Sequence, residues 1–387
     1  MRRLLLVMAL VAALPVVSSG QTVARSQAAG QREPPSQDVL SPAQWRKVDD
    51  GVDRGLAYLA SLQLPDGSIP TFETGQPAVT SLAVMAFLSR GHCPGEGPYG
   101  ATIDRAIDYV LAQQRDDGLL YSLPITDATY VENRGSHTAT YNHAIAGLML
   151  GEAFGMTDKT RAKKLRPAIE RAIDFSRQLQ GRPSRFDQDK YGWRYLKYLS
   201  MPNKGEADLS VTAWFIMFFR SAKNAEFDIP QEYVNDAIKF VNVCYRPQES
   251  SFVYGPYPGD ALPTRAMNGA GIICLTLSGN YDDKTATEAG QWILARSFTG
   301  SNYVTDPTKF YFYDAYYSSQ AMFLLGGEYW RKFYPSLADT LLEHQTPQGF
   351  WQPRRGSLDK IYGSAYTTAL AILSLTPPYQ LLPIYQR

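Results

Sequence analysis

Chemistry is sought first where charged side chains meet the start of an apolar helix. Asp208 opens the run Asp208-Leu209-Ser210-Val211-Thr212-Ala213-Trp214. A carboxylate there either caps the helix, accepting a backbone N–H from Ser210 or Val211, or acts as an acid in dry surroundings. Asp314 lies within Phe310-Tyr311-Phe312-Tyr313-Asp314-Ala315-Tyr316-Tyr317. It is either a helix-start carboxylate beside packed rings or an acid at an aromatic mouth, where ring faces stabilise cations. Tyr141-Asn142-His143 offers a third set, with His143 as a base near neutrality and tyrosine as an acid. Arg194 and Arg265 supply cations for an anionic substrate of that chemistry, a polysaccharide elimination. The competing reading of His143 is a hydrogen-bonded histidine in the core.

Rings are plentiful: 25 Tyr, 17 Phe and 6 Trp, enough to line a cavity or to fill one. The candidate ligand contacts are Trp193, Tyr254, Tyr313 and Tyr317, with Arg265 for an anionic ligand. Trp193 and Tyr254 fall in two of three long stretches, Leu119–Ser136, Gly181–Ala207 and Arg246–Leu262. Loops of more than about 15 residues are often lids or binding loops. A metal or cofactor motif is not expected: His92 and Cys93 are adjacent in a Gly/Pro loop, a poor metal spacing. The three cysteines, Cys93, Cys244 and Cys274, are an odd number, and Cys274 sits in an apolar run that predicts a buried thiol. A net charge of +1, from 38 basic and 37 acidic residues, argues against a nucleic-acid binder that depends on a basic face.

The elements that must position these residues repeat along the 387-residue chain. Ala106-Ile107-Asp108-Tyr109 returns as Ala172-Ile173-Asp174-Phe175 and as Ala237-Ile238-Lys239-Phe240, with weaker copies at Gly55-Leu56-Ala57-Tyr58 and Ala289-Gly290-Gln291-Trp292. A sixth copy ends at Thr340. Each unit is an amphipathic helix, then a turn such as Asp66-Gly67, Asp117-Gly118 or Gln348-Gly349, then a more apolar helix. The second helices are expected at Thr80–Leu88, Tyr141–Leu150, Leu209–Arg220, Thr264–Leu277, Tyr316–Leu325 and Tyr366–Leu375. A helix apolar all round is buried and an amphipathic one lies outside it. Six such pairs predict an all-α fold, an (α/α)6 toroid over 41–387, with an open solenoid as the alternative.

The N-terminus reads as a targeting segment. Met1-Arg2-Arg3 precedes an apolar run of 14 residues, Leu4 to Val17, then Ser18-Ser19-Gly20. A membrane-spanning helix needs about 20 apolar residues. Residues 1–20 are expected to be a signal peptide and 21–40 a disordered linker, placing the protein in the periplasm or outside the cell.

The run Gln345-Thr346-Pro347-Gln348-Gly349-Phe350-Trp351 is similar to the Q-x3-G-x-W repeat of squalene and oxidosqualene cyclases. Gln63 to Gly67 and Gln114 to Gly118 are partial copies without the Trp. Over about residues 50–385 the chain resembles the terpenoid cyclase and protein prenyltransferase superfamily, whose fold is an α/α toroid. In detail it resembles exported squalene-cyclase-like repeat proteins of planctomycete bacteria, through Tyr191-Gly192-Trp193-Arg194-Tyr195, Asp208 to Trp214 and Tyr362 to Leu375. The resemblance implies an apolar, isoprenoid-like ligand in a central cavity. It also places the cyclase motif D-x-D-D-T-A over Asp208-Leu209-Ser210-Val211-Thr212-Ala213, with Ser210 at the proton donor's position. A serine does not protonate an alkene, so the standard acid is missing. The zinc motif D-x-C of the prenyltransferases is missing too, because the residues two before the cysteines are Gly91, Asn242 and Ile272. The alternatives to isoprenoid binding or conversion are lyase-like processing of a glycan and a non-catalytic scaffold. An apolar small molecule or a glycan is the expected partner, and peripheral membrane contact is compatible with both.

Overall fold

Spacing of apolar residues sorts the helices into two kinds, and the structure puts each where that spacing says. The computed structural model describes residues 38–124, 135–184, 186–196, 207–257, 259, 262–280 and 283–385. The expected signal peptide and all but the last three residues of the expected linker lie outside the described residues.

Twelve α-helices alternate along the described chain. The first of each pair are α1 (Pro42–Ser61), α3 (Gly100–Ala112), α5 (Lys159–Gln180), α7 (Gln231–Val243), α9 (Lys284–Leu294) and α11 (Gly327–Glu343). The second are α2 (Ala78–Ser89), α4 (Gly135–Phe154), α6 (Leu209–Asn224), α8 (Arg265–Leu277), α10 (Tyr311–Leu325) and α12 (Gly363–Leu375). Helix α3 buries one stripe, Ile103, Ala106, Ile107 and Val110, and leaves its other face to solvent. In α2 every residue is buried. All six repeat anchors, from Tyr58 to Thr340, fall on the outer helices.

The inner helices form a closed ring. α2 packs on α4, α4 on α6, α6 on α8, α8 on α10, α10 on α12, and α12 returns to α2. This excludes the open solenoid. Glycine permits the tightest approach: a Cβ on Gly269 of α8 would lie 2.6 Å from the carbonyl oxygen of Tyr317 on α10. Side chains also reach from element to element to satisfy the exposed carbonyls at the end of α12. Gln320 donates to Leu373, Ser319 to Ser374 and Tyr334 to Leu375.

A recurrent clamp fixes the turn between outer and inner helices. The Gln345 amide donates to the carbonyls of Gly349 and Gly51, at 2.7 and 2.8 Å, joining the last outer helix to the first. Gln63 makes the same pair with Gly67 and Thr102, and Gln114 with Gly118 and Ala168. An arginine of the next outer helix donates to each glutamine oxygen: Arg54 to Gln345, Arg105 to Gln63 and Arg171 to Gln114. Each turn glycine has φ near +92°, and a Cβ there would strike that arginine's carbonyl. Gln180 clamps the third repeat through Tyr191 and Tyr233.

Four inner helices begin earlier than the sequence pattern implies, α4 and α10 by the most. α4 starts at Gly135 and α10 at Tyr311, because polar and aromatic residues extend each helix beyond its apolar stretch. Asp314 therefore lies inside the first turn of α10. The third long stretch is shortened by a small hairpin pairing Tyr245–Arg246 with Ser251–Phe252.

Candidate functional site

Around the N-terminal end of α6 lies a rim built from hydroxyls, the carboxylate of Asp208 and the guanidinium of Arg194. Backbone bonds bring the parts together: the Asp208 amide donates to the Trp193 carbonyl at 3.1 Å, and the Leu209 amide to that of Tyr254 at 2.8 Å. Asp208 is fully buried and caps α6, accepting from the Val211 N–H at 2.8 Å through Oδ1. Its Oδ2 accepts from the Tyr254 hydroxyl at 2.8 Å and lies 3.7 Å from Arg194 Nε. Tyr195 meets the Tyr254 hydroxyl at 2.7 Å, and the Arg194 guanidinium lies over the rings of Tyr195 and Tyr254. Burial pushes Tyr195 up to about 12 and raises Tyr254 well above the ordinary phenol range, so both phenols keep their protons and act as donors.

Ser210 ties three inner helices together at this rim. It accepts from the Tyr141 hydroxyl of α4 at 3.0 Å and meets the Tyr313 hydroxyl of α10 at 2.7 Å. The Trp214 indole N–H donates to the same Tyr313 oxygen at 2.9 Å. Trp214 stacks on Tyr316 with centroids 5.3 Å apart and meets Tyr317 edge-on. These rings make a floor beneath the rim.

Under that floor lies a cavity of about 20 Å³ on the ring axis, room for about one water. Every inner helix lines it: Met85, Leu148, Met217, Ile273, Tyr316 and Leu373 come from α2, α4, α6, α8, α10 and α12 in turn. Leu382, Ile384 and Tyr385 of the segment after α12 complete the lining. Among the described residues Glu152 of α4 is the one carboxylate that lines it, and it is fully buried. It accepts from the Ser221 hydroxyl at 2.5 Å and the Ile384 backbone N–H at 3.1 Å. Burial pushes its carboxyl up to about 7, opposed by those two donors.

The remaining sequence candidates fall elsewhere. His143 is fully buried and its Nδ1 accepts the Leu120 N–H at 3.1 Å, so Nε2 carries the proton and donates to Ala172 O and Ser176 Oγ. Thr80, Thr212, Asn268 and Thr368 perform the same service for Ile69, Trp193, Phe252 and Trp351. His143 thus stands where other repeats place Thr or Asn, and burial lowers it to about 3. Trp193, expected as a ring in the ligand wall, is buried beneath the rim instead. Its indole donates to Ser176 O and stacks on Phe215 at 4.8 Å, because the residue after the turn points into the core. Trp351 does likewise in the last repeat, donating to Leu341 O at 2.6 Å.

Arg265 is buried between Asp306, at 2.5 Å, and Asp314, at 3.4 Å, and lies over Phe298. Asp314 also accepts from the Ala266 N–H at 3.1 Å, and its carboxyl is raised by burial against the pull of Arg265. Asp359, in the same neighbourhood, is pushed up to about 6 by burial. Arg265 and His143 therefore serve separate clusters and do not converge on one cleft. Among the described residues no group of His, Cys, Asp and Glu is placed to hold a metal ion. Cys244 and Cys274 are buried thiols, both raised by burial.

Sequence reading missed the cluster around Ser210 and the buried Glu152. A single charged residue inside the otherwise apolar end of α4 was the available signal for Glu152.

No protein-family profile matches the chain, and no curated protein matches it. Solved structures do. A variant of the type II terpene cyclase MstE from Scytonema, in complex with merosterolic acid A, is 17% identical, with a TM-score of 0.53 over 89% of this chain and 100% of that one. An inactive variant of an alpha-1,6-mannanase from Salegentibacter sp., in complex with alpha-1,6-mannotetrose, is 9% identical, with a TM-score of 0.58 over 86% and 99%. A glycosidase variant is 11% identical, with a TM-score of 0.55 over 89% and 100%. At such identities the likeness establishes the fold, the α/α toroid, and fold alone does not carry chemistry.

Proposed function

We propose that the protein binds an apolar, isoprenoid-like ligand along the axis of its inner helix ring, and does not start a cyclisation by protonating it. The observation that carries this reading is the axial cavity. All six inner helices contribute to it, its lining is apolar apart from Glu152, Gln320 and two tyrosines, and an aromatic stack roofs it. The argument against acid-started cyclisation is geometric. Ser210, at the position of the cyclase acid, is occupied by two phenols, and both oxygens of Asp208 receive donors. An acid that protonates an alkene must instead donate from one of those oxygens. The likeness to MstE, bound in one structure to merosterolic acid A and in another to geranylgeranyl dihydroxybenzoate, supports the ligand class. The N-terminal sequence supports an exported setting.

The test is native mass spectrometry of the mature protein purified from its own host, followed by solvent extraction and lipid analysis. One isoprenoid per chain is expected. A clean unliganded mass, with no farnesol binding to the purified protein, overturns the reading.

A second reading, glycan processing, is favoured by one specific feature: the chain of hydroxyls from Tyr195 through Tyr254 to Asp208 beside Arg194. A buried phenol donor next to a guanidinium suits elimination from a uronate. Unsaturated-sugar absorbance against a uronate polysaccharide panel, lost in Tyr254→Phe, is what it requires.

A further inference from the structure

The axial cavity is small because this chain fills it. Leu382 and Ile384 are buried and Tyr385 packs edge-on against Phe323 at 5.6 Å. The backbone of the segment is tied to the ring at two points: the Asn224 amide donates to Pro383 O at 2.8 Å, and Ile384 N–H donates to Glu152. The segment follows α12 through the short turn Pro377–Tyr379 and a left-handed Gln380, and closes on itself through the Tyr385 N–H to Leu382 O at 3.1 Å. The Glu152 oxygen that receives Ile384 is the polar end of an apolar chamber. If the segment leaves, that oxygen loses its donor, and a buried acceptor without a partner is unfavourable. A ligand that enters in its place must therefore bring a donor of its own.

Resting on the axial-ligand reading, we infer that the segment Leu381–Tyr385 is a displaceable plug over the axial site, and that the ligand it admits is a long-chain alcohol whose hydroxyl replaces the Ile384 N–H at Glu152. A hydroxyl substitutes one neutral donor for another, and the hydrocarbon replaces the Leu382 and Ile384 side chains against Met85, Leu148 and Met217. The plug and the ligand compete for one volume, so the affinity of the intact chain is reduced by the fraction of time the plug is seated.

The experiment compares the intact chain with one lacking residues 381–387, using farnesol and its methyl ether as probes, by calorimetry. Helix content by circular dichroism confirms that the shortened chain is folded, and Leu382→Ala/Ile384→Ala serves if it is not. At least tenfold tighter farnesol binding is expected when the plug is removed or trimmed. The alcohol should be preferred over its ether by about tenfold, and Glu152→Met should erase that preference. A synthetic peptide of residues 377–387 should displace farnesol from the shortened chain. Equal affinity of intact and shortened chains overturns the plug. Equal affinity for alcohol and ether overturns the role of Glu152. Binding of neither probe to any form removes the axial-ligand reading itself, a result distinct from both.

Discussion

The imidazole Nδ1 of His143 accepts the backbone N–H of Leu120 at 3.1 Å, spanning from α4 to the turn after α3. Thr212 does this for Trp193 one repeat later, at 3.0 Å. The equivalence yields a stability prediction. His143→Ala leaves a buried N–H unsatisfied and opens a void, so it should cost about 3 kcal/mol. His143→Asn, which restores the acceptor used by Asn268, should cost less than half of that. Urea unfolding of both variants checks it.

The same ring sets a pH dependence. His143 falls from its ordinary 6.5 to about 3 in the folded chain, so the unfolded chain binds the extra proton between those values. Its contribution to stability is fully present above 6.5 and is lost as pH falls toward 3. Wild type should lose about 2 kcal/mol from this group between pH 7 and pH 5, and His143→Asn should not. Parallel slopes for the two proteins between those pH values would contradict the assignment.

Glu152 runs in the opposite direction. Its folded value is raised from 4.5 to about 7 by burial, so its contribution is fully present below 4.5 and is lost as pH rises through 7. Glu152→Gln removes that loss. The variant should gain about 2.5 kcal/mol relative to wild type between pH 5 and pH 8, a difference in which the other titrating groups cancel. Thermal unfolding at the two pH values measures it, and a constant offset would sink it.

The toroid was legible in the sequence because its causes are local and repeated. Anchors such as Tyr109 and Phe175 mark the outer stripe, and the wholly apolar α2 marks the inner ring. Asp208 as a cap was legible for the same reason, since Val211 lies three residues on. The rim was not. Tyr141, Ser210 and Tyr313 meet across 69 and 103 residues of chain, and only ring closure brings them within hydrogen-bonding distance. Arg265 drew attention as a free cation for a substrate, but Asp306 lies in a loop with no periodicity to announce it. The fate of Trp193 followed from the repeat of Trp351, which sequence had linked only to a motif and not to a direction into the core.

The clamp glycines give a test of the repeat itself. Gly118 and Gly349 have φ near +92°, and a Cβ would come within 2.3 Å of Arg171 O and 2.6 Å of Arg54 O respectively. Gly118→Ala and Gly349→Ala should each cost more than about 2 kcal/mol, combining backbone strain with a clash against a fixed carbonyl. Gly97→Ala is the control, since its φ is also positive, at +67°, but a Cβ there meets nothing within 4 Å. It should cost less than half as much in the same urea titration.

The two functional readings part at Tyr254 and Leu148. Tyr254 donates to Asp208 at the rim, while Leu148 faces the axial cavity on the far side of the Trp214–Tyr316 stack. Tyr254→Phe removes one hydroxyl and should cost about 1–2 kcal/mol in stability, because Asp208 Oδ2 loses a donor but keeps Arg194 nearby. If the ligand lies on the axis, this variant should bind farnesol within twofold of wild type. Leu148→Phe adds bulk where only about 20 Å³ is open, and should cost about 1–3 kcal/mol by overpacking. In the chain shortened at 381 it should weaken farnesol binding at least tenfold, since the new ring occupies the volume the ligand needs. Calorimetry on the two variants separates the readings. Loss of binding in Tyr254→Phe with none in Leu148→Phe would move the site from the axis to the rim, and with it the choice of ligand from hydrocarbon to glycan.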